Sequence, residues 1–471
     1  MRKIRLISLT SVVVVTAGLS MAATTAQAST VQASTVQAST ARRPALPDFL
    51  RQTMDELKFQ EVLDLAPRTA SAYTVRTVDK DAIARRSAAS ASARPISQQP
   101  QINATVLELD DAGRVIGSAL VLMSPQYPHG QIVPLDGDLH TTDVRWRQWD
   151  DAGWYTNHAQ GTIDVVPGRE NAAYDFMLPY PASTLKLMVN FGVLRLVDQG
   201  VISLDDTYRY QPTAISSLCG NASSNTIRGY IDASLTQSSN AASCALIKML
   251  WDHDAIDGLN QQFQALGLET LQLKGTNPAN GGHWANDITM SSLDAAKLLT
   301  IVNGGTGTLW TAPDGTAVTR DVLSAASRTL FLSELNQQGW NWMLSTTNFC
   351  GAAYPAAGIP QLTADRWIGP DGTMNVAGNQ FGQDVRPCNA DAEVTFAHKT
   401  GWVNNTGADV GIVSNRPGFA KRHYVISVIS NLGDQYQDPG RPATPSGTTP
   451  VEYTQKFAQL GAAVDRYEAC E

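Results

Sequence analysis

Ser183 and Lys186 stand three places apart at the head of an apolar run, in the stretch Pro-Ala-Ser-Thr-Leu-Lys. On a helix these two positions share a face, so the hydroxyl and the amine can meet. A lysine withdrawn from water loses its charge and can then take the serine proton, which makes the serine a nucleophile for a carbonyl carbon. A serine at a helix start also stands among free N–H groups, which favour developing negative charge. Ser183 is the only serine with a lysine at this spacing, although the chain has ten lysines. One such pair is still about what chance supplies at this length. Two further groups follow in order: Ser238-Ser239-Asn240 in a polar stretch before a helix, and Lys399-Thr400-Gly401 at the end of a strand. Singly, each has an ordinary structural reading. Ser183 and Asn240 could cap helices, and Lys399 could be a solvated charge on a sheet edge.

The elements that must position these residues can be read from periodicity. Leu185, Met188, Val189, Gly192 and Leu196 form one helical face after Ser183, with Gly200 as a stop. Ala241 to Leu250 predicts a second helix, and Leu293 to Val302 a third behind the caps Ser291 and Ser292. From Ser183 to about Gly304 the chain reads as mainly helical. Period-two alternation predicts strands at Ile102–Leu109 and Val115–Val121, joined by the turn Asp110-Asp111-Ala112-Gly113. Three more strands are expected at 394–400, 410–414 and 424–430, then a helix over about 451–467. Strands at both ends with helices between them predict an α/β (α+β) fold. Its centre would be an antiparallel β-sheet flanked by helices and interrupted by an all-helical subdomain. The stretch 123–178 reads as irregular; its cluster Trp146, Trp149, Trp154 and Tyr155 could be a sugar platform but more readily a local core.

The 471 residues are 43% hydrophobic, enough for a sizeable core, and carry a diffuse net charge of −8. That balance argues against nucleic acid as a partner. Residues 1–28 read as a secretory signal of the Sec type. Met1-Arg-Lys-Ile-Arg is basic, Leu6 to Leu19 largely apolar, and Ala26-Gln27-Ala28 a small-x-small cleavage site. No twin arginine precedes it and no lipobox cysteine follows it, so the expected location is extracellular. Residues 29–101 read as a low-complexity tether, a short helix over 47–65 and a polar linker over 66–100, and 102–471 as the folded domain. Export permits disulfides. Of the five cysteines, Cys219/Cys244 and Cys350/Cys388 each flank one region, which leaves Cys470 over. No Cys or His spacing calls for a metal, and no organic cofactor is implied.

Together, Ser183-x-x-Lys186, Ser238-Ser239-Asn240 and Lys399-Thr400-Gly401 resemble the ordered S-x-x-K, S-D-N and K-T-G set of class A β-lactamases and penicillin-binding proteins. The resemblance runs over roughly 102–467 and interrupts at insertions of about 123–178 and 348–392. Leu-Val-Asp-Gln-Gly200-Val-Ile-Ser-Leu-Asp-Asp206 is similar to the family's segment after the nucleophile helix. Leu266-Gly-Leu-Glu-Thr270 and Asp287-Ile-Thr-Met290 fit the borders of its omega loop. The resemblance implies a serine hydrolase or acyl-transferase that attacks an amide, lactam or ester through an acyl-serine. Ser183 would be the nucleophile, Lys186 its base, Ser238 a proton relay and Asn240 the group holding Lys186 and the substrate amide. Lys399 would supply positive potential and Thr400 would bind a substrate carboxylate, with Gly401 and Trp402 completing the binding edge. The backbone N–H groups of Ser183 and Trp402 would form the oxyanion hole. The implied partner is a β-lactam or a D-Ala-D-Ala-type peptide, with peptidoglycan as a source, and a monomer is expected.

The chain departs from the class A pattern at the residue that releases the acyl group. The family carries a glutamate in the omega loop. Here the corresponding stretch Gln272–Asn286 contains no carboxylate, with Glu269 just before it in expected helix, Asp287 just after it and His283 within it. Ser239 replaces the central aspartate of the second motif, and no arginine closely follows Lys399. Acylation is expected to survive these changes, and efficient β-lactam hydrolysis is not. A D,D-peptidase or a protein that acylates once and stays acylated are the alternatives.

Overall fold

The computed structural model describes residues 43–64, 94–95, 100–157, 159–351, 357–433, 436–437 and 454–470. The expected signal, the tether and most of the linker lie outside them. Helix α1 (Leu46–Glu56) is followed by strands β1 (Ile102–Leu109), β2 (Val115–Ser124) and β3 (Tyr127–Ile132). Helices α2 (Lys186–Asp198), α3 (Ile227–Thr236), α4 (Asn240–Asp252), α5 (Ala255–Ala265), α6 (Ser292–Asn303) and α7 (Ala325–Asn336) come next. Strands β4 (Val394–Val403), β5 (Thr406–Asn415) and β6 (His423–Ser430) and helix α8 (Thr454–Glu468) complete the domain.

The six strands form one antiparallel sheet in the order β4-β5-β6-β1-β2-β3. The two ends of the chain therefore meet in the sheet's middle, where Val106 lies opposite Ile426. β1 and β6 are buried along nearly their whole length. This is the mark of strands covered on both faces. Thr105 on one face bonds Ser292 of α6 at 2.8 Å, while Tyr424 on the other donates to Asp465 of α8 at 3.2 Å. α1 stacks on α8 through Phe49 and Tyr467, whose ring centroids are 4.1 Å apart. The helix expected over 47–65 ends early because Lys58 takes a left-handed conformation, φ 51°.

In the sequence, helices α2 to α7 fall between the two groups of strands that make the sheet, as expected. Ser291 caps α6, its Oγ accepting from the Asp294 N–H at 3.1 Å, and Gly200 ends α2 with φ +71°. The helical region also holds two small two-stranded ribbons, 207–210 with 223–226 and 276–277 with 283–284. The stretch 123–178 is not irregular. It contains β3 and a separate three-stranded sheet of 160–164, 144–149 and 174–177. Val144, Trp146 and Phe176 bury a second small core against Leu120 and Leu122, so Trp146 is a core residue, as is Trp149 in the main core.

Both expected disulfides form, Cys219–Cys244 and Cys350–Cys388, and Cys470 is free and exposed. Closing loops of 25 and 38 residues contributes on the order of 3 to 4 kcal/mol each through chain entropy. The first bridge ties the loop 216–220 to α4, and the second clamps the 348–392 insertion at its base. Among the described residues no helix is long and apolar enough to cross a membrane.

Candidate active site

Three elements converge on Ser183. The serine sits in a 3-10 turn, Ala182–Leu185, that runs directly into α2. Thr184 holds this turn by donating to the Pro181 carbonyl at 2.6 Å. Ser238 occupies the bend between α3 and α4 in a left-handed conformation, φ 58°. Such a backbone is uncommon for a residue with a side chain and is worth tying to function. Ser239 caps α4, its Oγ accepting from the Ala242 N–H at 3.2 Å. The cap of α4 is thus Ser239 rather than Asn240, and the Asn240 side chain is left for another partner.

That partner is Lys186. Its Nζ lies 3.0 Å from Ser183 Oγ, 3.0 Å from Ser238 Oγ, 2.7 Å from the Ser238 carbonyl and 2.8 Å from Asn240 Oδ1. Lys186 is fully buried with no carboxylate among these partners. Burial holds its pKa well below the ordinary lysine value, and the nearby Lys399 charge pushes the same way. A neutral amine has two N–H donors and one lone pair. The Ser238 carbonyl and Asn240 Oδ1 can only accept, so they take the two donors. The lone pair then faces the two serine hydroxyls, the arrangement of a base ready to receive the Ser183 proton.

Lys399 arrives from β4, the edge strand of the sheet. Its Nζ donates to Ser238 Oγ at 3.0 Å and to the Thr400 carbonyl at 2.8 Å. Ser238 Oγ therefore lies between two lysines. Burial pulls Lys399 from the 10.5 of a free lysine to about 7, partly opposed by Asp409. On unfolding the amine returns to its ordinary value. Between about pH 7 and 10.5 the unfolded chain thus binds a proton that the folded chain lacks, and stability contributed by this residue rises with pH. Below about pH 7 both states are protonated and the slope vanishes. The unfolding free energy of the native chain minus that of Lys399→Met should accordingly grow between pH 7 and 9 in urea titrations. A difference flat with pH would show an unperturbed lysine.

The three motif groups open onto a cavity of about 440 Å³. Ser183, Ser238, Asn240, Thr400 and Trp402 line it, while Lys186 and Lys399 stand behind Ser238. Gly401 does not line the cavity. A Cβ there would come within 2.5 Å of the Pro181 carbonyl and 3.0 Å of the Ser183 nitrogen. Backbone on both sides cannot yield, so Gly401→Ala is expected to cost at least about 2 kcal/mol and to displace the turn that carries Ser183. Parallel thermal denaturation and acylation assays test this, and a variant with native behaviour in both would refute it.

None of the candidate deacylating bases reaches the cavity. Glu269 is in a turn rather than a helix, since α5 ends at Ala265; it pairs with Arg169 at 3.1 Å and lines a separate cavity of about 180 Å³. His283 and Trp284 are neighbours in a short strand and point to opposite faces. Trp284 takes the cavity side, where its Nε1 donates to Tyr180 Oη at 2.8 Å. Asp287 meets Gln148 at 3.3 Å. Among the described residues no Asp, Glu or His lines the cavity around Ser183. His398, in β4 itself, is fully buried and bonded between Asp409 and Asn341, as a structural residue.

Sequence reasoning passed over part of the wall: Tyr180, Trp284, Trp340 and Trp342. The signal available for the last two was the pair of tryptophans in Gly-Trp-Asn-Trp, just before the 348–392 insertion.

Residues 169–347 match the family model described as the β-lactamase enzyme family. The match holds the Ser183/Lys186 and Ser238–Asn240 motifs and stops before Lys399. No curated protein sequence matches the chain. Among solved structures, PBP-A is similar at 20% identity over 61% of this chain and 81% of that one, with a TM-score of 0.39. An acyl-enzyme complex of a PBP-A mutant with penicillin G is 16% identical over 90% and 97%, TM-score 0.43. A class A β-lactamase from Bacteroides cellulosilyticus is 13% identical over 84% and 100%, TM-score 0.43. Likeness at this level transfers no chemistry to this chain. The resemblance to the serine β-lactamase and penicillin-binding-protein superfamily stands on the ordered motifs and the family match.

Proposed function

We propose that this chain, β-lactamase-like over residues 169–347, is a serine acyl-transferase that acylates readily and releases penicillin adducts slowly. The observation that carries the reading is the buried Lys186 amine, 3.0 Å from both Ser183 Oγ and Ser238 Oγ, behind a cavity with no lining carboxylate among the described residues. Ser183 Oγ attacks the carbonyl carbon while its proton passes to Lys186 Nζ. The carbonyl oxygen, now negative, is held by the backbone N–H groups of Ser183 and Trp402. When the carbon–nitrogen bond breaks, Ser238 Oγ gives its proton to the leaving nitrogen and is reprotonated from Lys186. Asn240 keeps Lys186 in register through their 2.8 Å bond. Lys399, charged below about pH 7, and Thr400 attract a carboxylate on the substrate.

A D-Ala-D-Ala-type peptide of the cell wall fits this chemistry as natural substrate. Its leaving amine departs and gives water room, whereas the ring of a β-lactam keeps its leaving group tethered. Export through the amino-terminal signal would place the enzyme where such peptides occur. A protein that acylates once, without turnover, is the second reading, favoured by the same missing carboxylate. Mass spectra of the intact protein after mixing with penicillin, followed over hours, test all of this. A persistent adduct on Ser183 with turnover of a D-Ala-D-Ala-type peptide supports the enzyme. A persistent adduct with no turnover of any substrate supports the binding protein.

A further inference from the structure

The cavity of about 180 Å³ beside Glu269 shares no lining residue with the catalytic one. Its walls are the loop 136–142, the turn 267–270 and the first turns of α6, with Arg169 at one side. The loop and Arg169 belong to the 123–178 insertion. Asp294 and Lys297 stand one turn apart on α6, on one face, and are only 6% and 1% exposed.

These two opposite charges do not bond each other. Asp294 accepts through Oδ2 alone, from the Thr270 N–H at 2.7 Å and the Thr270 hydroxyl at 2.6 Å. Its Oδ1 has no hydrogen-bond partner among the described residues. Lys297 Nζ donates to the carbonyls of Gly267 at 3.0 Å and Leu139 at 3.4 Å and faces the Trp310 ring at 4.8 Å. No carboxylate bonds it. Burial raises the pKa of Asp294 and lowers that of Lys297, as for charges taken from water without a full counter-charge. His140 Nε2 is buried and has no partner among the described residues. A Cβ on Gly267 would lie 3.0 Å from that nitrogen and 3.7 Å from Lys297 Nζ, so both nitrogens reach the same side of the cavity. Arg169 and Glu269 answer each other at 3.1 Å.

A buried charge is costly until it is paired. An anion alone would answer Lys297 and repel Asp294, and a cation alone would do the reverse. A molecule carrying both charges answers both. An α-amino acid has its ammonium and carboxylate on adjacent carbons, a span short enough to face side chains one helical turn apart. The volume is several times the roughly 30 Å³ of a water molecule, and Leu139, Leu293 and Pro313 leave an apolar margin for a small side chain.

We propose that this cavity binds a small zwitterionic α-amino acid of about alanine's size, its carboxylate on Lys297 and His140 and its ammonium on Asp294. The site stands whether or not Ser183 forms an acyl-enzyme. Under that reading, D-alanine is the amino acid that the enzyme itself releases.

The test titrates the full chain with D-alanine, L-alanine and glycine, read by calorimetry and by the rise in unfolding temperature. Acetate and ethylamine serve as single-charge controls and phenylalanine as the size control. The best of the three small amino acids should bind with Kd on the order of 0.1 mM, and each control about ten-fold more weakly or worse. Lys297→Met and Asp294→Asn should each weaken binding about ten-fold or more, while Thr400→Val, in the catalytic cavity, should leave it unchanged. If the two buried variants do not fold, His140→Leu decides, with an expected loss of about five-fold. No response to any small amino acid up to about 20 mM would mean a cavity for water only and would overturn the site. Controls that bind as well as alanine, affinity that survives in the cavity variants, or loss of binding in Thr400→Val would overturn it equally.

Discussion

Ser183→Ala should abolish labelling of the protein by penicillin or a fluorophosphonate while leaving its thermal unfolding close to native. The serine is partly exposed at the mouth of a cavity, and its Oγ has Lys186 Nζ at 3.0 Å. Removing this oxygen takes away the hydroxyl proposed as nucleophile, at the head of α2, and little packing. Lys186→Ala should slow labelling by about a hundred-fold or more, the ordinary consequence of losing a general base. Its effect on folding is harder to separate, because four oxygens lose their shared nitrogen. Lys186→Met, which fills the space without titrating, separates the two. Peptide mapping that puts the adduct on Ser238 or any other serine would sink the assignment.

Penicillin adducts should accumulate, and steady-state nitrocefin hydrolysis should stay below roughly ten per second, the ordinary rate for enzymes. A water molecule that attacks the acyl ester must give up a proton, and a carboxylate beside it is the usual acceptor. Glu269 is committed to Arg169 beside another cavity, and neither His283 nor Asp287 lines the one that holds Ser183. What remains within reach is Lys186 with Ser238, the pair already used for acylation. A small thioester or D-Ala-D-Ala-type peptide should therefore be turned over faster than any penicillin. Nitrocefin turnover above the stated rate would refute this and leave substitution of Lys186 and Ser238 to identify the base.

Much of this architecture is legible in the chain itself. The strand 102–109, the final three strands and the helices at 186–198, 240–252 and 292–303 all follow from local periodicity and caps. These elements have buried faces in register with their own repeat, so the pattern survives in one dimension. The sheet of 144–149 was harder to see because its strands are short and partly exposed; yet Val144 and Trp146 do mark the side that packs into the second core. Glu269 falls in a turn, although apolar residues surround it, because α5 ends four residues earlier.

By itself the sequence determined which groups could do the chemistry and in what order they occur: Ser183 with Lys186, Ser238 with Asn240, and Lys399. A shared face on one helical turn and a motif order need no third dimension. Both disulfides were legible for a similar reason, since each pair encloses one compact region. Tertiary structure alone decided that Lys186 is fully buried among four oxygens and that Lys399 titrates near 7, because desolvation depends on what folds over a side chain. It alone turned His283 away from the cavity and brought Trp340, Trp342 and Trp402 together across 60 residues of chain. Those outcomes depend on which face of a strand meets which loop, a relation between distant segments that no local pattern records.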